Sequence, residues 1–557
     1  GRLMYDGIRA GQCRLEAAEA APEKPRVAPA TKTTWMKSPF MRIGLILKVF
    51  ITLAVAGTPL AGHAGLPERP DLPLVSALPT GADSPLDKAL IPKLKANPGM
   101  SGFRLVPNGM EAFALRAMTA RTASRSLDIQ YYIWHNDTTG RLLAHELRLA
   151  ADRGVRVRLL LDDMDARGNN FALAALDAHP RIDVRVFNPY RSRSGFFGKL
   201  WETTTNFSRI NHRMHNKSWI ADNRVALAGG RNIGDEYFAA SEDINFIDLD
   251  YALLGPAVET LSASFDNYWN SVASYPVWVL SPELVNADSL AKLTADFENT
   301  LRADLESSYI TELKNSEPMQ RIEAQALKFQ WTADWQVLSD DPLKALKVGD
   351  GVDKSHVLKG FRAAVAAAEK DVTLISPYFV PGKQGTANLT GMDQQGRSVS
   401  VLTNSLLAND VAAVHGGYSK YRKALVKGGV TVYELKPSAG SSAGTSWFGS
   451  SGASLHTKAA LIDDSNAFVG SFNLDPRSIS LNCEQGILAS HPQLGKELRA
   501  IYSKVTTGKS AWQVGIDQRN KLTWTDDSGM TGREPKASLS RRLQAFLFRI
   551  FPLDSQL

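Results

Sequence analysis

One polar string occurs twice in this chain. Residues 215–232 read HNKSWIADNRVALAGGRN and residues 456–473 read HTKAALIDDSNAFVGSFN. Laid over one another without a gap, they share His, Lys, Asp, Ala, Gly and Asn in register, 241 positions apart (456 − 215). A repeat of that period describes two similar globular units rather than a solenoid of short repeats. A chain of 557 residues is also too long for one compact core, so at least two structural units are expected.

The elements ahead of each copy follow one order. SLDIQYYIW (126–134), VRVRLLLDD (155–163) and IDVRVFNP (182–189) read as strands, rich in β-branched and apolar residues. Helical patterns at 140–154, stopping at Gly154, and in NNFALAALDAHP separate them. The second half repeats this with strands at 371–381, 399–405 and 430–437 and a helix over 412–429 that ends in glycine. A β-α-β-α-β order predicts an α/β fold with mostly parallel sheets covered by helices. Residues 65–100 are rich in Pro, Gly and Ser and read as a linker, and 276–355 read as a helical connecting insertion. The repeats are then expected over 101–275 and 356–510, with a tail over 511–557.

On a strand, residues two apart share a face, so His215 projects with Lys217 and His456 with Lys458. Asp222 and Asp463 fall in turn-forming strings at a hairpin tip, and the returning strand leads to Gly229, Gly230 and Asn232, or to Gly470, Ser471 and Asn473. Each half offers one imidazole, one ammonium and one amide. Together they suit attack on a phosphodiester: cations and donors meet the phosphoryl oxygens, one His attacks phosphorus, and the other moves the leaving-group proton. Two histidines with opposite protonation needs explain why the motif occurs twice. His215, Lys217, Asp222, His456, Lys458 and Asp463 are the catalytic candidates, and Gly229, Asn232, Ser471 and Asn473 the substrate-binding ones.

Both copies match His-x-Lys-x4-Asp-x6-Gly-[Gly/Ser]-x-Asn, and the chain from about 101 to 510 resembles the phospholipase D superfamily. The resemblance implies two pseudo-twofold-related phospholipase D-like α/β/α sandwich domains, an active site at their interface, no cofactor and no metal requirement. It implies His215 as nucleophile and His456 as acid/base. Asp248 in FIDLDYALLGP and Glu484 in LNCEQGIL match the carboxylates that orient the histidines. Strings such as YYIWHNDTTGRLLAHELRLAADRGVRVRLLLDD, TNSLLANDVAAVHGGY and FPLDSQL are similar to the bacterial cardiolipin synthase C group. That similarity implies phosphatidylglycerol as acceptor, with phosphatidylethanolamine or a second phosphatidylglycerol as donor.

Hydrolysis of a lipid or of nucleic acid shares the chemistry up to the covalent intermediate, and a binding protein with a dead site is the non-enzymatic alternative. Intact motifs in both halves speak against the last. Aromatics clustered with glycines beside the motifs, rather than spread along a basic groove, favour lipid over nucleic acid. The net charge of +7 fits any anionic partner. A helper protein is left open. Of the two cysteines, Cys13 and Cys483, only the second falls in the folded part, which excludes a disulfide framework or a zinc cluster.

Membrane contact has several candidates. Within an N-terminal extension over 1–64, residues 36–64 have the basic start, apolar run and small-residue end of a secretory signal, either cleaved or kept as an anchor. An enzyme at the cell membrane, on its periplasmic or outer face, is the expectation. The loops 191–201 (Phe196, Phe197, Leu200, Trp201) and 438–452 (Trp447, Phe448) could enter a lipid interface or line the cleft. The tail, with Leu539, Leu543, Phe546 and Leu547 beside Arg541, Arg542 and Arg549, reads as an amphipathic helix that lies on a membrane or docks on its own domain.

Overall fold

In the computed structural model, the described residues are 66–166, 168–190, 210–324, 326–346, 354–409, 412–437, 453–535, 537–538, 541–543 and 545. The signal-like segment, the loops 191–201 and 438–452 and most of the amphipathic tail lie outside them. Among the described residues, no helix is long and apolar enough to cross a membrane.

Two large sheets carry the fold. Across the first, the strands run Gln330–Thr332, Ser101–Val106, Asp250–Leu254, Val225–Gly229, Ser218–Ala221, Ser126–Tyr131, Arg156–Asp162, Ile182–Phe187 and Ser274–Pro276. The second runs Trp335–Ser339, Gln485–Ser490, Asn466–Gly470, Ala459–Ile462, Asp371–Ile375, Ser398–Asn404, Thr431–Leu435, Ala511–Ile516, Leu522–Asp526 and Gly529–Thr531. From Ser101–Val106 in one and Trp335–Ser339 in the other, eight successive strands correspond, and all seven pairings agree in sense. The duplication is therefore one of topology as well as of motif.

The expected parallel character holds only at the centre. The three strands linked by helices pair in parallel in each half, and every other pairing in both sheets is antiparallel. The reason is local: a right-handed helical crossover returns the chain parallel, whereas the motif hairpin, with its three-residue turn, can only return it antiparallel. Helix ends follow ordinary chemistry. Asp137 caps Thr138–Asp152 by accepting from the Gly140 amide at 3.0 Å, and the chain leaves that helix through Gly154 at φ +95°.

The connecting segments are more ordered than their composition suggests. Within 66–100 the chain is anchored to the first half. It holds the helix Pro85–Ala96, capped by Ser84, and the Val75 and Ala77 amides donate to Asn270 and Asp266 of the first half. The insertion 276–355 is not wholly helical. After Ala287–Leu305, Ser308–Asn315 and Glu317–Glu323, it gives one edge strand to each sheet, Gln330–Thr332 and Trp335–Ser339. The second sheet continues past residue 510 through three antiparallel strands.

The halves share their interior. Leu105, Leu253, Ile375, Leu461 and Val469 belong to one buried apolar cluster, and the Tyr251 hydroxyl donates to the Ala467 carbonyl at 3.0 Å. Main-chain pairing also crosses between halves: Asn245–Ile247 runs parallel to Ala453–Leu455, and Met214 bridges to Cys483. An apolar, hydrogen-bonded seam of this kind fixes one half against the other.

Candidate active site

Each motif histidine leaves its own half for a partner. The His215 amide donates to the Cys483 carbonyl at 2.8 Å, and its Nδ1 lies 2.9 Å from Glu484 Oε2 and 3.1 Å from the Ser471 carbonyl. The His456 amide donates to the Ile247 carbonyl at 2.9 Å, and its Nδ1 lies 2.6 Å from Asp248 Oδ2. The first-half imidazole is thus held by a second-half carboxylate, and the reverse. Because acceptors alone face Nδ1 of His215, that nitrogen carries the proton and Nε2 keeps its lone pair.

Burial and charge set the protonation of this cluster. Burial, together with the Lys217 and Lys458 ammoniums, outweighs Glu484 and pushes the His215 imidazole down to about 4. His456 is lowered by burial and by Lys458, against the pull of Asp248. Burial alone would raise the Asp248 carboxyl, yet His456, Lys458 and Arg231 hold it at about 2. Glu484 is likewise held below its usual range by His215, Lys217 and the Ser471 hydroxyl despite its burial. Burial and the facing Lys458 drive Lys217 well below the usual range for a lysine. The resting site therefore holds two anionic carboxylates behind two neutral imidazoles. Both lysines are tethered alike, Nζ of each donating to the carbonyl of the histidine two residues back.

Not every expected site residue joins this cluster. Asp222, at φ +51°, sits at the hairpin tip, where its carboxylate accepts from the Ser124, Arg125 and Ser126 amides at 2.8–3.3 Å. Asp463, at φ +54°, takes the amides of Glu369, Lys370 and Asp371 in the same way. Seven residues of near-extended chain put each roughly 20 Å from its histidine. Expected among the catalytic residues, the two aspartates stand apart from the histidine pair, and each one clamps the start of a central strand.

Gly229 and Ser471, expected as substrate contacts, have structural partners of their own. A Cβ on Gly229 would stand 2.5 Å from Asp250 Oδ1 and 2.6 Å from its Cα, so glycine is needed for the strand to pack there. The Ser471 hydroxyl donates to Glu484 Oε2 at 2.5 Å, holding the carboxylate that holds His215. At the matching place in the first half, a Cβ on Gly230 would lie 2.1 Å from Asp248 Oδ1. One motif position thus serves the orienting carboxylate twice, by donating to it or by making room for it. Asn232 is buried and spends its amide on the Ile133 N–H and the Tyr237 hydroxyl. Asn473, also buried, has a side-chain oxygen, Oδ1, with no hydrogen-bond partner.

The sequence reading missed the aromatic walls. Tyr132 meets His215 edge-on, ring centroids 5.0 Å apart, with Lys217 Nζ 5.3 Å from the Tyr132 ring centre. Phe246 stacks on His456 at 5.2 Å and Tyr237 meets it edge-on at 5.2 Å. Their signal was their place in sequence, beside Asn232, Asp248 and the first central strand.

A family model described as cardiolipin synthase, PLD-like domain, matches residues 118–269 and 361–506. Over 482 residues the chain is 39% identical to cardiolipin synthase C of Escherichia coli (strain K12), a match that covers 84% of this chain and 99% of that protein. It is 24% identical over 402 residues to a cardiolipin synthase of Staphylococcus aureus (strain N315), covering 72% and 66% respectively. A crystal structure of phosphatidylserine synthase from Haemophilus influenzae Rd KW20 is similar at a TM-score of 0.48 and 15% identity, covering 75% of this chain and 89% of that one. With the duplicated motif, the matched halves and the relatives in agreement, the chain belongs to the cardiolipin synthase family of phospholipase D-like domain proteins.

Proposed function

We propose that this enzyme makes cardiolipin by moving a phosphatidyl group onto phosphatidylglycerol through a phosphohistidine on His215. The observation that carries the mechanism is the reciprocal pairing of His215 with Glu484 and of His456 with Asp248. The names of the relatives supply the product, cardiolipin.

Nε2 of His215, unprotonated because Nδ1 holds the proton, attacks the phosphorus of the donor lipid. The P–O bond to the departing headgroup alcohol breaks, and His456, protonated once the anionic phosphodiester is bound beside it, gives that oxygen a proton from Nε2. The phosphatidyl group then rests on His215, where Glu484 offsets the charge of the imidazolium. A phosphatidylglycerol hydroxyl passes its proton to His456 Nε2 as its oxygen attacks phosphorus. The P–N bond breaks and His215 is restored. Lys217 and Lys458, each anchored beside its histidine, supply donors for the phosphoryl oxygens, and the Asn473 side chain, whose Oδ1 has no partner, can turn to present its N–H there. We place the enzyme at the membrane surface, where its substrates are.

The test is incubation with phosphatidylglycerol labelled in its diester phosphate, followed by rapid quench and lipid analysis by mass spectrometry. Cardiolipin should form, and the label should be trapped on wild type and not on His215→Ala. Phosphatidic acid without cardiolipin would make water the acceptor and overturn the synthase reading. Label retained by His215→Ala would overturn the nucleophile.

A further inference from the structure

We infer a second phosphate-binding site, outside the catalytic pair, that takes the headgroup of an anionic phospholipid in the membrane surface. A cavity of 460 Å³ opens between the helix Ala412–Lys427, the strand Leu522–Asp526 and the segment that follows Gly529–Thr531. Its walls include His415, Arg422, Trp524, Lys521, Arg533 and Arg542. None of these belongs to either motif.

The buried floor is built and partly unpaired. Arg422, 5% exposed, donates to Glu434 at 2.7 Å and to Glu534 at 3.0 Å, and its guanidinium lies 4.8 Å from the Trp524 ring centre. His415, 1% exposed, spends its Nε2 on Glu534 at 2.6 Å. That leaves His415 Nδ1, Arg422 Nε and Arg542 Nε buried with no hydrogen-bond partner in the protein. Groups of this kind are costly to bury bare and point to a ligand that is missing. Arg422 serves both Glu434 and Glu534, and His415 Nε2 meets Glu534 as well, so the charges of the floor are paired among themselves and the cations left for a ligand are those of the mouth. Lys521, Arg533 and Arg542 make no ion pair with a described carboxylate, so the mouth presents three cations to one visitor. A guanidinium cluster with a buried donor floor suits a phosphate oxyanion.

Two further features favour a lipid source. Met530 and Leu543 are 68% and 56% exposed, and they stand beside cavity residues in sequence, two before Gly532 and one after Arg542. Apolar side chains at the rim of a cationic pocket fit an interface where acyl chains begin below the headgroup plane. A short chain of contacts also links the cavity to the catalytic cleft. Tyr418 meets His415 at 5.6 Å and Phe379 at 6.1 Å, and Phe379 bridges to Leu474, the neighbour of Asn473. A headgroup held here would keep the mouth of the cleft against an anionic bilayer. The inference leans on the lipid reading of the active site only for the choice of vesicle.

Lys521→Ala with Arg533→Ala is the test, since both side chains are exposed and their removal leaves the core intact. Full-length protein is sedimented with vesicles of phosphatidylcholine alone or with added phosphatidylglycerol, and its melting is followed with inorganic phosphate. Wild type should partition onto the anionic vesicles, and the double variant should lose roughly thirtyfold in partition. Turnover of detergent-dispersed lipid should stay at the wild-type rate, which separates failure of this site from failure of the chemistry. Equal vesicle binding by both proteins would overturn the proposal. If inorganic phosphate raised the melting temperature of wild type alone while vesicle binding was unchanged, the pocket would serve a soluble phosphate ester and the membrane assignment would fall.

Discussion

His215 stands between two acceptors, and that placement decides what the residue can be. Glu484 and the Ser471 carbonyl both want a proton from Nδ1, so the ring must keep its lone pair on Nε2. Glu484→Gln would remove the charge that balances the phosphorylated ring and would offer an amide N–H that favours the other tautomer. The expected result is a fall in kcat of roughly 10²–10⁴-fold with KM little changed, as for the orienting carboxylate of a serine triad. Steady-state assay of a folded variant checks it; an unchanged kcat would remove Glu484 from the mechanism. The same burial makes His215 a determinant of stability. Its imidazole titrates near 4 in the fold and near 6.5 in an unfolded chain. Between those values the unfolded state binds more protons, so stability from this group is complete above about pH 6.5 and is lost as pH falls toward 4. Urea melts from pH 7 downward should show that loss, and His215→Gln should flatten it in part. Equal slopes would mean that the acid sensitivity arises elsewhere.

The motif hairpin shows how much of the molecule could be read from the sequence, and where reading stopped. The period-two pattern was enough to place His215 with Lys217 and His456 with Lys458, since one strand face settles that geometry. Its aspartates, expected to be catalytic, lie at the hairpin tip with their carboxylates on strand-start amides. Their spacing from the histidines is a regular feature of the string, but only the three-dimensional turn shows the carboxylate folding back onto three amides. The parallel β-α-β cores were legible for the same local reason, whereas the antiparallel edges depend on long-range pairing that no window of sequence contains. Asp222→Ala tests the clamp. It should cost about 1–3 kcal/mol, because buried amides of the first central strand lose their acceptor. Asp463→Ala should cost less, since its amides lie nearer solvent. In both variants the folded fraction should keep its kcat. A large loss of kcat at full stability would return these carboxylates to the chemistry.

At the scale of the whole molecule, the fold has made one site from two incomplete ones. His215 has its carboxylate in the second half, His456 has its own in the first, and the strands beside them pair across the same seam. A shared apolar core closes that seam within one chain. Neither half can specialise alone: loss of either histidine leaves the other correctly held but without its proton partner. This makes a prediction about mixtures. His215→Ala and His456→Ala should each abolish cardiolipin formation, and mixing the two purified proteins should restore none of it, even after co-expression. A site assembled between chains behaves differently, because half-sites from two inactive variants can meet in one assembly and recover part of the activity. Recovered activity in the mixture would show that the halves exchange partners. Its absence is what a core continuous between His215 and His456 requires.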